Sequence, residues 1–214
     1  MQLKISASLP LYEVRHTGIA PALDGWLDSP PWRGAQWFDR FVSMDTAASA
    51  PKTTRAALLW DERCLYLGVV CDEPRLALLR ADTRPGEAVG SDDCVELRLD
   101  AGVPGVELLK VWVNAAGTVA VSAHIIDNPG WGTSHPRPAS GIKAAARFTA
   151  TGWQVEVAIT YASLRLSRPF PPALKIAPSP SSLTSPSSAL SSRSFCTATR
   201  RRRSVPITCA RCWA

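Results

Sequence analysis

The stretch "CVELRLD", from Cys94 to Asp100, alternates apolar and charged residues without a break. In an extended chain Val95, Leu97 and Leu99 fall on one side, and Glu96, Arg98 and Asp100 on the other. Successive side chains of a strand point to opposite faces, whereas a helix would scatter these residues around its axis. The pattern therefore dictates a half-buried strand. It recurs along the chain. "CLYLGVVC" puts Leu65, Leu67, Val69 and Cys71 on one face. "RAALLW" precedes it across the charged turn Asp61-Glu62-Arg63, so the two read as an antiparallel hairpin. "LLKVWVN" sets Val111 and Val113 against Lys110, Trp112 and Asn114, and Ala115-Ala116-Gly117 turns it into "TVAVSA". "IKAAARFT" and "GWQVEVAI" follow, with Gly152 at the turn between them. Short strands joined by turns, with no sustained helical period, predict an all-β fold, an antiparallel β-sandwich.

Charge narrows the function classes. The net charge is +6, from 24 Lys and Arg against 18 Asp and Glu. Every acid lies at or before Glu156, and nine of the basic residues lie after it. The body is therefore slightly acidic, and the basic character belongs to the end of the chain. A nucleic-acid partner is not expected for the body. No apolar run is long enough to span a bilayer, and the N-terminal residues lack the apolar core of a signal peptide, so no membrane partner is expected and the compartment stays open. Cys64, Cys71 and Cys94 lie in apolar runs and read as buried thiols. The three histidines have no metal-ligand spacing, and no nucleophile elbow or phosphate-binding loop is present. Glu96 and Glu156 sit on separate strands, and a carboxylate pair would need them close together. The expectation is a protein without catalytic residues.

Five segments then line up in one order. They are "PALDGWLDSPPWRGAQWFDRF" (21–41), "TRAALLWDERCLYLGVVCDEP" (54–74), "SDDCVELRLD" (91–100), "VWVNAAGTV" (111–119) and "GWQVEVAITYASL" (152–164). Together they resemble the family nine carbohydrate-binding modules and their relatives in the DOMON-like superfamily, over about residues 11–166. The resemblance implies an antiparallel, immunoglobulin-like β-sandwich. It implies non-catalytic binding of an oligo- or polysaccharide, linked to carbohydrate catabolism. Members are commonly appended to glycoside hydrolases, and many are exported from bacteria. It also makes Trp32 a structural plug at the sandwich end, and core or edge packing is expected for Trp26 and Trp37 too. Some members hold Ca²⁺, for which Asp92, Asp93 and Asp100 are the candidates; otherwise no cofactor or metal is expected.

The sugar-contacting positions are altered. One aromatic of the family's two-tryptophan sandwich falls at about Gly90, and an arginine that bonds the sugar falls at Trp112. The acid of the same strand is retained as Glu96. Glu96, Trp112, Asn114 and Trp131 are thus the candidate carbohydrate-binding residues, in a monomeric protein. Trp131 lies in the Gly/Pro-rich stretch "DNPGWGTSHPRPAS", which reads as a loop. The alternative is a structural or interaction sandwich that has lost its sugar site.

The domain is placed at residues 1–168, with its last strands lacking. Residues 169–214 follow no strand or helix period and are rich in Ser, Pro and Arg, the composition of a disordered tail. The four arginines Arg200 to Arg203 and the pair Cys209 and Cys212 would fit a phosphate-binding arm or half of a zinc site. Neither explains the sudden loss of acids. A shifted reading frame in the coding DNA explains it better.

Overall fold

The computed structural model describes residues 11–12, 14–43, 52–85, 89–100, 108–128, 131–164, 174–177, 193–200 and 203–210. Fifteen strands are described, with one four-residue helix, α1 (Pro30–Arg33). The strands are β1 (Leu11–Tyr12), β2 (Arg15–His16), β3 (Trp37–Phe38), β4 (Val42–Ser43), β5 (Thr54–Trp60), β6 (Cys64–Asp72), β7 (Cys94–Asp100) and β8 (Leu108–Asn114). They continue as β9 (Val119–Asn128), β10 (Trp131–Arg137), β11 (Ile142–Phe148), β12 (Gly152–Thr160), β13 (Leu174–Ala177), β14 (Arg193–Arg200) and β15 (Arg203–Ala210). The larger sheet runs β1-β13-β14-β15-β7-β8-β9-β10, with β4 also on β14. The smaller runs β11-β12-β6-β5-β2, with β3 also on β5. Pairing is antiparallel except between β2 and β5.

The core sits between the sheets and follows the period-two pattern. Val95, Leu97, Leu99, Val111, Val113 and Val121 of the larger sheet are buried in one cluster with Leu65, Leu67, Val69, Cys71, Val155, Val157 and Ile159 of the smaller. This is the all-β antiparallel sandwich that the alternation predicts. Each large aliphatic side chain so buried contributes about 1.5–3 kcal/mol, which makes this layer the main source of stability.

The smaller sheet is buried on its outer face as well. The segment before β5 folds back over it, and Leu27 and Trp32 pack on Ala57, Leu59, Tyr66 and Ala158. Trp32 is fully buried, as a structural residue should be, but on this outer face and not as a plug at the sandwich end. It lies so close to β6 that a β-carbon at Gly68 would stand 2.9 Å from its ring and 2.8 Å from Leu27. Only glycine leaves room there. The indole Nε1 of Trp32 donates to Glu156 Oε1 at 2.6 Å, and the Gly25 amide donates to Oε2 at 2.8 Å. Both carboxylate oxygens are therefore engaged in fixing the opening segment to β12. Burial pushes the Glu156 pKa up, although the bonds from Trp32 and Gly25 pull it down.

One further expectation is corrected. Residues 131–137 are not a loop. They form β10, which pairs with β9 from Trp131 opposite Asn128 to Arg137 opposite Val121, with a register break between Trp131 and Thr133. β10 ends the sheet order, and an edge strand accommodates Pro136, which has no N–H to give to a ladder. In the C-terminal stretch the described residues include β13, β14 and β15. β15 pairs with β7, from Ile207 opposite Leu97 to Ala210 opposite Cys94. Such pairing gives partners to backbone groups along β7 and asks little of side-chain period.

Candidate functional site

The outer face of the larger sheet carries three of the candidate residues, Glu96, Trp112 and Asn114. Alternation in β7 and β8 turns Glu96, Arg98, Lys110, Trp112 and Asn114 away from the core, because Val95, Leu97, Val111 and Val113 face into it. Glu96 and Trp112 are direct cross-strand partners, and Ala120 of β9 lies opposite Trp112 on its other side. Trp112 is half-buried and packs, with Ala120, against Val89 and Cys94.

Beside Trp112 lies a cavity of about 710 Å³, well within the size of small-molecule sites. Its walls include Pro85, Gly90, Trp112, Ser122, Pro136 and Arg137. A β-carbon at Gly90 would sit 3.6 Å from Trp112 Nε1. The indole thus borders the space beside position 90. Ser122 is 6% exposed, and its Oγ has no hydrogen-bond partner among the described residues. A buried hydroxyl without a partner is costly, and a ligand hydroxyl would satisfy it.

Glu96 is 0% exposed. Its carboxylate accepts two bonds from Arg98, at 2.7 Å from Nε and 3.2 Å from Nη2. The forked pair holds the acid behind a guanidinium that keeps partial exposure. Arg98 is a partner of Glu96 that the sequence reading missed. The signal was present: Arg98 follows Glu96 by two on an alternating strand, and so shares its face.

Asn114 is 0% exposed too. Its Nδ2 donates to Asp92 Oδ2 at 2.8 Å, and its Oδ1 accepts from the amides of Ala116 and Thr118 at 3.1 and 2.8 Å. It ties the β8–β9 turn to the loop before β7. Asp92 also accepts from the Thr83 amide at 3.0 Å. Burial works to raise the Asp92 pKa, but the bonds from Thr83 and Asn114 outweigh it and hold the group low. Asp93 accepts from the Arg80 amide at 2.7 Å, and the side chain of Asp100 lies outside the described residues. Among the described residues no three His, Cys, Asp or Glu gather as a metal cluster.

Glu96, Trp112 and Asn114 are thus neighbours, whereas Trp131 stands apart. It pairs with Asn128, eight residues along β9 from the Ala120 that faces Trp112. At the rise of a strand that is roughly 26 Å. Glu96 and Glu156 face outward from opposite sheets, with the core between them, so they form no catalytic pair.

Three solved structures share this architecture. A family 9 carbohydrate binding module from Caldicellulosiruptor kristjanssonii, in complex with glucose, matches with a TM-score of 0.51 at 16% identity, over 92% of this chain and 84% of its own. The same organism's module in complex with cellotriose gives 0.51 at 17%, over 92% and 82%. A suggested carbohydrate-binding protein from Bacteroides uniformis gives 0.59 at 10%, over 92% and 88%. The chain has the fold of a family 9 carbohydrate-binding module. No family model matches its sequence, and no curated protein does. At these identities the likeness is one of fold, as the five ordered segments imply.

Proposed function

We propose that the chain is a non-catalytic saccharide-binding domain whose site is the cavity beside Trp112. The observation that carries this reading is the half-buried indole standing next to glycine at position 90, in a cavity that also holds an unpartnered serine hydroxyl. The aromatic platform has moved from the loop before β7 to β8. A pyranose ring stacks its apolar face on the Trp112 indole. Ser122 bonds a sugar hydroxyl, and Arg137 closes the rim. Glu96 and Arg98 lie outside the cavity lining, and their forked pair supports the β7 strand beside Trp112. Asn114 shapes the wall rather than touching sugar. Trp131 meets only a chain long enough to extend along β9, which makes an oligo- or polysaccharide the substrate class. Work alongside a glycoside hydrolase in polysaccharide breakdown, as a monomer, completes the proposal. Neighbours of this fold were solved with glucose and cellotriose, which supports the class.

The second reading is an interaction sandwich without a sugar site. The closing of Glu96 by Arg98 favours it. Calorimetric titration with glucose and cellotriose decides. Saturable binding is expected, weakened about tenfold or more in Trp112→Ala. Absence of saturation by either sugar in the wild type would leave the second reading standing.

A further inference from the structure

The outer face of the smaller sheet holds a second cleft, of about 310 Å³, on the side of the sandwich away from Trp112. Its floor is a row of three residues in register across the sheet: Arg55 of β5, Val70 of β6 and Gln154 of β12. Its walls come from the opening segment, with Trp26, Asp28, Arg33 and Trp37 among them. Trp26 and Trp37 are both braced by cations. The Arg147 guanidinium lies 4.6 Å from the Trp26 ring centre, and that of Arg55 lies 5.4 Å from Trp37. The Trp37 Nε1 donates to the Trp32 carbonyl at 3.1 Å, which fixes its ring further. Trp26 is nonetheless 43% exposed, an unusual state for an indole held this firmly.

The polar groups are organised as well. Gln154 is buried, and its Nε2 donates to the Gly25 carbonyl at 2.8 Å. The amide is anchored through its nitrogen, so its oxygen remains an acceptor at the cleft. Arg33 is tethered through Nε to the Asp28 carbonyl at 2.6 Å, which leaves its terminal nitrogens as donors. Two guanidinium groups line the cleft against one carboxylate, so its charge balance is positive.

We propose that this cleft is a second binding site and that its ligand is an acidic sugar unit, a hexuronate. A hexuronate presents a C–H face to an indole, hydroxyls to Gln154 and Asp28, and a carboxylate to Arg55 and Arg33. The planar fork of arginine matches a carboxylate in two parallel bonds. A neutral hexose would leave both guanidinium groups without an anion. The site is independent of the cavity on the other sheet. If both sites hold their ligands, one domain grips two stretches of a mixed acidic and neutral polysaccharide from opposite faces.

The test is an NMR titration of the intact chain with glucuronate and, separately, glucose, following the tryptophan indole N–H signals. Glucuronate is expected to shift the signals of Trp26 and Trp37 saturably, and more weakly as salt is raised. Arg55→Gln, which keeps the chain length and removes the charge, is expected to weaken this binding about tenfold or more. Trp112→Ala is expected to leave it unchanged. Arg33→Gln is the second variant, should loss of the Arg55–Trp37 stack unfold the first. The proposal is overturned if glucuronate leaves these signals unmoved, if glucose moves them equally, or if Trp112→Ala abolishes the effect.

Discussion

Glu156 shows how strand parity fixes the face of a residue but not what covers that face. Its place on an alternating strand turns it away from the core, which ordinarily means solvent. Here the opening segment covers that face, and the carboxylate receives an indole and a backbone amide instead of water. Burial raises its pKa in the folded state. A carboxyl with a raised folded pKa binds its proton more tightly folded than unfolded. Its contribution to stability is fully present below the unfolded value and is lost as pH rises through the folded value. Asp61, Glu73 and Asp92 are held low and act in the opposite sense, so the total pH profile hides Glu156. The difference between the wild type and Glu156→Gln isolates it. Urea denaturation from about pH 4 to 7.5 is expected to show the wild type gaining on the variant as pH falls from above the raised folded value toward the unfolded one. A difference that is flat with pH would contradict the raised pKa.

At the scale of elements, the core strands were legible because each has an inward face of Val, Leu or Ile and a backbone that must pair. β10 was not. Gly132, His135 and Pro136 interrupt its pattern, and the physical signal for an edge strand lies in its neighbour β9, not in its own residues. The outer-face site was half legible. Glu96 and Trp112 share a face by parity, but the bonds that close Glu96 with Arg98, and those that bury Asn114, depend on how turns and loops fold over the strand ends. Asn114 is the junction. It holds the β8–β9 turn by two backbone amides and the loop before β7 through Asp92. Replacing it with alanine leaves buried donors and an acid short of partners, at a cost of about 1–3 kcal/mol. Asn114→Ala is therefore expected to lower the urea midpoint by that amount near pH 7. The deficit should shrink in acid. Asp92, with its lowered pKa, contributes stability that is present above the unfolded value and is lost as pH falls through the folded one. An unchanged midpoint would mean that the turn stands without Asn114.

For the whole molecule, the open question is what completes the larger sheet. β7 lies in mid-sheet only because β15 pairs with it, and β14 and β13 extend the sheet from there. The residues forming these strands belong to a stretch with no acids and abundant Ser, Pro and Arg, the composition from which a tail is expected. Backbone pairing and composition thus make competing claims on the same residues, and we propose the domain boundary at 168 as the place to test them. Cutting the chain after Arg168 removes all three strands and leaves β7 as an unpaired edge, with its outer face carrying Glu96 bared along one side. If the strands belong to the fold, the shortened protein is expected to melt at a lower temperature and to self-associate in sedimentation velocity, because an open edge recruits a second one. If it stays monomeric with an unchanged melt, residues 174–210 contribute nothing to the sandwich. Sequencing the coding DNA across residues 165–180 then becomes decisive, since one inserted or deleted base would account for the break in composition. The two outcomes also bear on the sugar site. Strands that matter place β15 beside Glu96, with Thr208 opposite it in register. Strands that do not matter leave Trp112 and its cavity to work from β7 to β10 alone.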